Sequence, residues 1–313
     1  AYYVADNPDF GATFTYYLAE GLQSSKDARR EKEKEKEKEN KDVVAVGWDT
    51  VISESREDAP AVVFTVRAAD GSIVNQVEGP TGPGFHRVTW NLRYPSVEPW
   101  SPPNPLFGDD DEEAHGTLAV PGRYTVEMQH RVDGELVDLG QTQTFDVVSI
   151  RPEPVLPGST QEQRVVFESQ ADELIRASQG TVTAIDDVIQ ELDAVKETLD
   201  RSLTDGSLYE LANSIQQRIK AQRDRIADNE LRDMYNDLPE MSVMARMWHA
   251  RFDTSSSAHG PTAAQQDSLR IARKLYDEVV AELTQLVDVE YAGLKQAMDE
   301  ARVPYTPGRG IQN

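Results

Sequence analysis

The sequence of 313 residues contains no cysteine. This excludes disulfide scaffolds, thiolate zinc sites, iron–sulfur clusters and cysteine nucleophiles, and it leaves the redox compartment undecided. Basic residues are scarce, with 32 Lys and Arg against 55 Asp and Glu and a formal net charge of −23. A nucleic-acid surface needs clustered Lys and Arg, so no nucleic-acid partner is expected. No apolar run approaches the roughly 20 residues of a membrane span. The opening segment AYYVADNPDFGATF lacks the basic and then apolar stretches of a signal peptide, so a chain that is cytosolic, already processed or cut from something longer is expected. What the chain does have is length and enough apolar residues, 38%, for two domains with separate cores.

The first half reads as β structure. Residues 11–18 (GATFTYYL) and 61–67 (AVVFTVR) are rich in β-branched and aromatic residues. Asp70-Gly71 supplies a tight turn between two extended runs, and Asp133-Gly134 supplies another before segments that end near Val148. Residues 79–84 (GPTGPG) form a loop by their breakers. In residues 85–92 (FHRVTWNL), Phe85, Arg87, Thr89 and Asn91 alternate with His86, Val88, Trp90 and Leu92, and the face of Val88, Trp90 and Leu92 is expected to be buried. A further strand is expected at residues 124–129. Short strands with turn signals at this spacing indicate an antiparallel sandwich.

An insertion at residues 26–42 contains REKEKEKEKEN, whose charges nearly cancel. Period two would put every Lys on one face of a strand and every Glu on the other. In a helix the i,i+3 pairs attract and the i,i+4 pairs repel, so a marginal solvated helix or a disordered loop is expected, as a solvated insertion or a charge-patterned docking site.

The period changes at Pro157-Gly158. Phe167, Ala171, Leu174, Ile175, Val182, Ile185, Val188, Ile189, Leu192, Val195 and Leu199 follow the three-and-four spacing of one helical face. The helix they predict reaches residue 200, on the order of 60 Å long, with Gly180 as a weak point. Ser159 with Glu162, Ser207 with Glu210 and Thr262 with Gln265 fit capping boxes before apolar-periodic runs, and Pro304 stops the last of them. Short connections make neighbouring helices antiparallel, up-down-up, with a shorter helix at residues 241–252 crossing or capping them.

The segments NPDFGATFTYYL (7–18), WDTVISESREDAPAVVFTVRAADGSIVNQVEGPTGPGFHRVTWNLRYP (48–95), VPGRYTVEM (120–128) and PTAAQQ (261–266) occur in that order. Carrying them, the chain resembles the C-terminal part of large secreted bacterial proteins whose N-terminal part is a sortilin-type β-propeller of Asp-box (sialidase-like) repeats, often labelled glycosyl hydrolases. Its β part is similar to the Ig-like domain of flagellar hook-capping type. The resemblance implies an α+β multidomain chain. An antiparallel Ig-like β-sandwich at residues 1–156 carries the charged insertion at 26–42 and an acidic loop at 106–116. An antiparallel helical bundle of three long helices plus a short one follows at 157–303, with a tail at 304–313. The resemblance also implies a secreted or periplasmic location and, as partner, the β-propeller of the same parent protein, through which a protein or glycan ligand would be met. The role expected for this chain is that of a non-catalytic accessory module that braces or presents the propeller. The alternative is a part of a glycoside hydrolase that contributes to its substrate cleft.

Glycoside hydrolysis needs two carboxylates about 5 to 10 Å apart across a cleft, and nothing in the sequence isolates such a pair in an apolar setting, so no catalytic residue is assigned. Asp109, Asp110, Asp111 and Glu112 are weak candidates for Ca²⁺, lacking the D-x-D-x-D-G spacing that orients a loop around an ion. His86, His115, His130, His249 and His259 show neither an i,i+4 pair nor an H-E-x-x-H motif, and no G-x-S-x-G elbow is present. No cofactor is expected. His86 is read as a packing or hydrogen-bonding residue rather than a general base. Met241, Met244, Met247, Trp248 and Phe252 form an apolar cluster that either closes one end of the bundle or offers an adaptable docking surface. Of Trp48, Trp90 and Trp100, the last lies in a Pro-rich loop and is the candidate for packing on a propeller.

Overall fold

The computed structural model describes residues 9–99, 116–149, 161–235, 240–256 and 261–310, with the side chains of 161, 162, 230, 233 and 252–256 outside that description. The chain is mixed α+β, with two antiparallel sheets and a set of helices. It divides into two compact units, Ala1–Pro95 with His115–Pro152, and Ser96–Ala114 with Glu153–Asn313.

In the first unit the strands are β1 (Ala12–Leu18), β2 (Ala61–Ala68), β3 (Ile73–Gly79), β4 (Gly84–Trp90), β5 (Gly122–Val132) and β6 (Glu135–Val147). β1 and β4 make a two-stranded antiparallel sheet, and the other four run in the order β3-β2-β5-β6, antiparallel throughout. β2 is central and is buried on both sides from Ala61 to Val66. Its Val62, Phe64 and Val66 join Tyr16, Trp90 and Tyr124 in one core. On its other side the Thr65 hydroxyl donates to Gln129 at 2.8 Å and accepts from Gln76 at 3.2 Å, so a polar residue is buried there with its partners supplied.

The turns follow the local chemistry. Asp133 and Gly134 join β5 to β6 with φ of 49° and 77°, the two left-handed residues of a type I′ hairpin turn, whose twist matches that of the strands. Asp70 accepts from the Ser72 amide and hydroxyl at 2.9 and 2.6 Å while Gly71 takes φ 85°. These bonds hold the Asp70 carboxyl below the usual carboxylate range. In β4, Trp90 is fully buried and donates its indole N–H to the Arg93 carbonyl at 2.8 Å, whereas Phe85 on the opposite face is 80% exposed.

The charged insertion is a helix, α1 (Ser25–Lys38), with no buried residue. Its first turn is capped by Ser24, which accepts from the Asp27 amide. A second helix follows that the sequence reading does not assign, α2 (Trp48–Arg56), which also buries no residue. Arg29 fastens the two, donating to both Glu54 carboxylate oxygens at 2.6 and 2.7 Å and to Glu33 at 2.7 Å. The guanidinium holds the Glu54 carboxyl below its ordinary range.

The second unit contains α3 (Gln161–Leu199), α4 (Ser207–Ile226), α5 (Glu230–Met234), α6 (Val243–Ser256) and α7 (Ala263–Thr284), continued by a π-helical turn at Gln285–Tyr291 into α8 (Ala292–Glu300). At 1.5 Å per residue α3 is about 58 Å long, and it passes through Gly180 unbroken. Side-chain bonds fix the helix directions. Arg223 reaches Asp186 while Gln216 reaches Ile189 and Asp193, so α3 and α4 are antiparallel. Arg225 reaches Glu278 while Arg218 reaches Glu282 and Glu290, so α4 and α7 are antiparallel too. Tyr276 meets Thr181 and Tyr291 meets Glu191, placing α3 and the α7–α8 rod parallel, up-down-up.

Capping departs from expectation in one place. The Thr262–Gln265 box forms in both directions, at 3.3 and 2.6 Å. The Ser207–Glu210 box does not form, because Gly206 is the N-cap and Asp205 takes both Ser207 donors. A carboxylate is the stronger acceptor, and it draws Ser207 into the first turn. The Ser159–Glu162 box lies outside the described residues. After α8 the chain folds back as far as the described residues run. Arg309, nearly buried, donates to Asp299 and to the Val303 and Pro304 carbonyls, and Thr306 is buried beside it.

Candidate functional site

The inner face of the four-stranded sheet is wider than the two strands that lie on it. The register sets Val126 opposite Gln143 and Met128 opposite Gln141, with Val66 and Phe64 beyond them on β2. The core-facing rows therefore run from valine and phenylalanine to glutamine at the edge strand. Gln141 and Gln143 are exposed although they stand on the inner face. Next to them a groove of about 900 Å³ runs along β1, with every residue from Ala12 to Glu20 lining one side and Gln141, Gln143, Thr144 and Phe145 of β6 lining the other. Its floor includes Phe14, Tyr16, Phe64, Val126 and Met128.

The floor is set by aromatic packing. Phe14 lies 5.8 Å from Phe64 and 5.7 Å from Phe145, centroid to centroid, and Tyr16 lies 4.9 Å from Phe64. The Tyr16 hydroxyl donates to the Pro80 carbonyl at 2.6 Å, and burial pushes its pKa up. Gly79 makes room for that hydroxyl, since a Cβ there would stand 2.5 Å from it. At one end of the groove His130 shares the inner face with Val62. Its Nε2 is buried without a hydrogen-bond partner, and burial lowers the imidazole pKa, so the ring is neutral at neutral pH. Both walls are strand edges. Among the described residues β1 pairs with β4 alone and β6 with β5 alone. Leu139 and Gly140 form a bulge in β6, with Gly140 at φ 65°, and Gln141–Val147 resumes regular pairing beyond it.

A second groove, about 910 Å³, lies in the helical unit between α3 and α7, lined by Val166, Phe167, Gln170, Glu173, Leu269 and Arg273 among others. Buried ion pairs stand close to it in sequence. Arg251 of α6 donates to Asp172 of α3 at 2.6 Å, binding the two helices, and Arg164 pairs with Glu168 at 3.2 Å along α3 itself.

The sequence-derived candidates separate. Met247 is buried with Val243 and Ala250 in the helical core and Met244 packs against it, while Trp248 on the same helix is 65% exposed. The side chain of Phe252, the residue Trp100 and the run Asp109, Asp110, Asp111 and Glu112 lie outside the described residues. Trp48 is 80% exposed on α2. His86 donates its Nε2–H to the Gly82 carbonyl, 2.7 Å away, and packs on the Tyr16 ring. Among the described residues no group of His, Asp and Glu is placed to hold a metal ion, and no helix is long and apolar enough to cross a membrane. Sequence reasoning missed the groove. The signal that pointed to it was the segment QTQTFDV, which sets Gln141 and Gln143 on the same side of a strand as Phe145 and Val147. No family model, curated protein or solved structure matches the chain.

Proposed function

We propose that the chain is a non-catalytic accessory and interaction module, with an Ig-like sandwich that packs on the β-propeller of a secreted parent protein and a helical bundle that braces it. The Ig-like reading is supported by the two facing antiparallel sheets and by Tyr124, near the start of β5, whose hydroxyl donates back to the Val120 carbonyl in the manner of a tyrosine corner. The observation that carries the interaction role is the cross-strand pair Tyr17 and Phe85. Their rings lie 4.8 Å apart on the outer face of the β1–β4 sheet, 58% and 80% exposed. Phe10, 62% exposed, adds to the apolar residues left in water in this unit. Neighbouring exposed aromatics of this kind are the anchors of protein interfaces.

Glycoside hydrolysis has less to work with. Among the described residues each groove is lined by one carboxylate, Glu20 in one and Glu173 in the other, where the reaction needs two. The test measures binding of the chain to the isolated propeller, together with turnover of a glycan and peptide panel by the chain alone. The expected result is binding that Tyr17→Ser with Phe85→Ser weakens by at least about tenfold, with no turnover. Turnover by the chain alone would favour the hydrolase reading.

A further inference from the structure

We propose that the groove between β1 and β6 receives an extended strand of a separate polypeptide, which pairs with the free edge of β1 and covers the inner face of β6. The inference rests on the reading of the β unit as an interaction module and names what it takes. Three features select a polypeptide strand over other ligands.

The first is the pair of strand edges that are unpaired among the described residues. On β1 every second residue turns its backbone N–H and C=O away from β4, so the edge presents donors and acceptors at the two-residue repeat of a strand. A backbone in extended form answers that repeat along its whole length. β1 has seven residues, about 24 Å at 3.4 Å per residue, which fits a strand of ordinary length.

The second is the mismatch of layers. Strands lie about 4.8 Å apart, so a two-stranded sheet leaves part of a four-stranded face without cover, on the order of one to two strand widths. The inner side chains of β2 are buried, Met128 and Phe145 are half-buried, and Gln141 and Gln143 are exposed. Cover therefore runs out toward β6. A third strand beside β1 would lie over that region.

The third is the chemistry of the lining. The floor is aromatic and aliphatic, the β6 wall carries amides, and Glu20 is the single charged residue among the described lining residues other than His130, which is neutral. Inward side chains of the incoming strand are accordingly apolar or uncharged, with an acceptor or donor available for the orphan Nε2 of His130. Backbone pairing supplies the affinity, and the alternate inward side chains supply the selectivity.

The test uses the full chain and a capped, fluorescent nine-residue probe of alternating Thr and Val, set against the same probe N-methylated at every second residue. Methylation on one edge removes the donors that pair with β1 and keeps the side chains. The expected result is saturable binding that N-methylation weakens by at least about tenfold. Gln141→Lys with Gln143→Lys, two exposed positions, should weaken it similarly without lowering the melting temperature, since edge lysines oppose strand addition. Equal binding of both probes, or no binding at probe concentrations on the order of 1 mM, would overturn the inference. So would a concentration-dependent dimer dissolved by the lysine variant, which assigns the edge to a second copy. A rise in probe binding on deleting residues 1–8 would assign it to the chain itself. Propeller binding that survives the lysine variant and fails with Tyr17→Ser and Phe85→Ser separates this inference from the broader role.

Discussion

The two units of the chain close their cores to different degrees. In the helical unit three long helices and α6 surround Leu174, Leu192, Ile215, Ile219, Leu286 and Met298, all without exposure. Even its buried Gln216 is saturated, accepting from Lys196 and donating to Ile189 and Asp193. In the β unit the core is equally dry around Trp90 and Val62, yet its inner face ends in two exposed glutamines at the edge strand. Helices close a core by wrapping around it. Two layers of strands close one only when their widths match, and the shortfall leaves strand edges available for recognition.

That contrast can be broken by substitution. The largest effect is expected from Trp90→Ala, which empties the centre of the β core and should cost about 3–5 kcal/mol. Leu192→Ala should cost the helical unit about 2–5 kcal/mol, read as thermal or denaturant unfolding of each variant. Gly79→Ala comes next, because the added methyl meets the Tyr16 hydroxyl and should cost about 1–3 kcal/mol. A smaller effect belongs to His130. Its folded-state pKa lies below the ordinary 6.5, so the unfolded chain binds the extra proton first as pH falls. The contribution to stability is complete above about pH 6.5 and declines below it until the folded imidazole also titrates, and His130→Phe should flatten that slope in a pH series of denaturation curves. Smallest of all is Trp48→Ala. The ring is exposed on a helix that buries nothing, so stability should stay within about 0.5 kcal/mol of the parent chain.

Much of the architecture was legible because it is local. Alternation marked Trp90 as buried and Phe85 as exposed, the two Asp-Gly pairs marked turns, and the three-and-four spacing from Phe167 to Leu199 marked one helix. α1 remained open between helix and loop because i,i+3 attraction and i,i+4 repulsion nearly cancel in its Lys-Glu repeat, and the Ser24 cap with the Arg29 pairs to Glu33 and Glu54 decides it. α2 is weakly marked in the sequence, because Thr50, Val51 and Ile52 favour strands while Trp48, Val51, Ile52 and Ser55 share one helical face. The Ser207 capping box failed because Asp205 precedes it, a competition between neighbours that a spacing rule does not weigh. The groove was hidden for a different reason. Alternation tells which face of a strand is inward, but the pairing of β1 with β4, and the edge positions it creates, depend on contacts far apart in sequence. Gln141 and Gln143 on an inward face were the one local clue.

Amide hydrogen exchange on the full chain, with and without the alternating Thr-Val probe, tests the central claim most directly. In the free chain the outward amides of β1 and of β6 from Gln141 to Val147 should exchange much faster than those of α3 and α4, and the probe should slow β1 selectively. Protection of the β1 and β6 edges equal to that of α4 in the free chain, or an unchanged β1 in the presence of saturating probe, would contradict it.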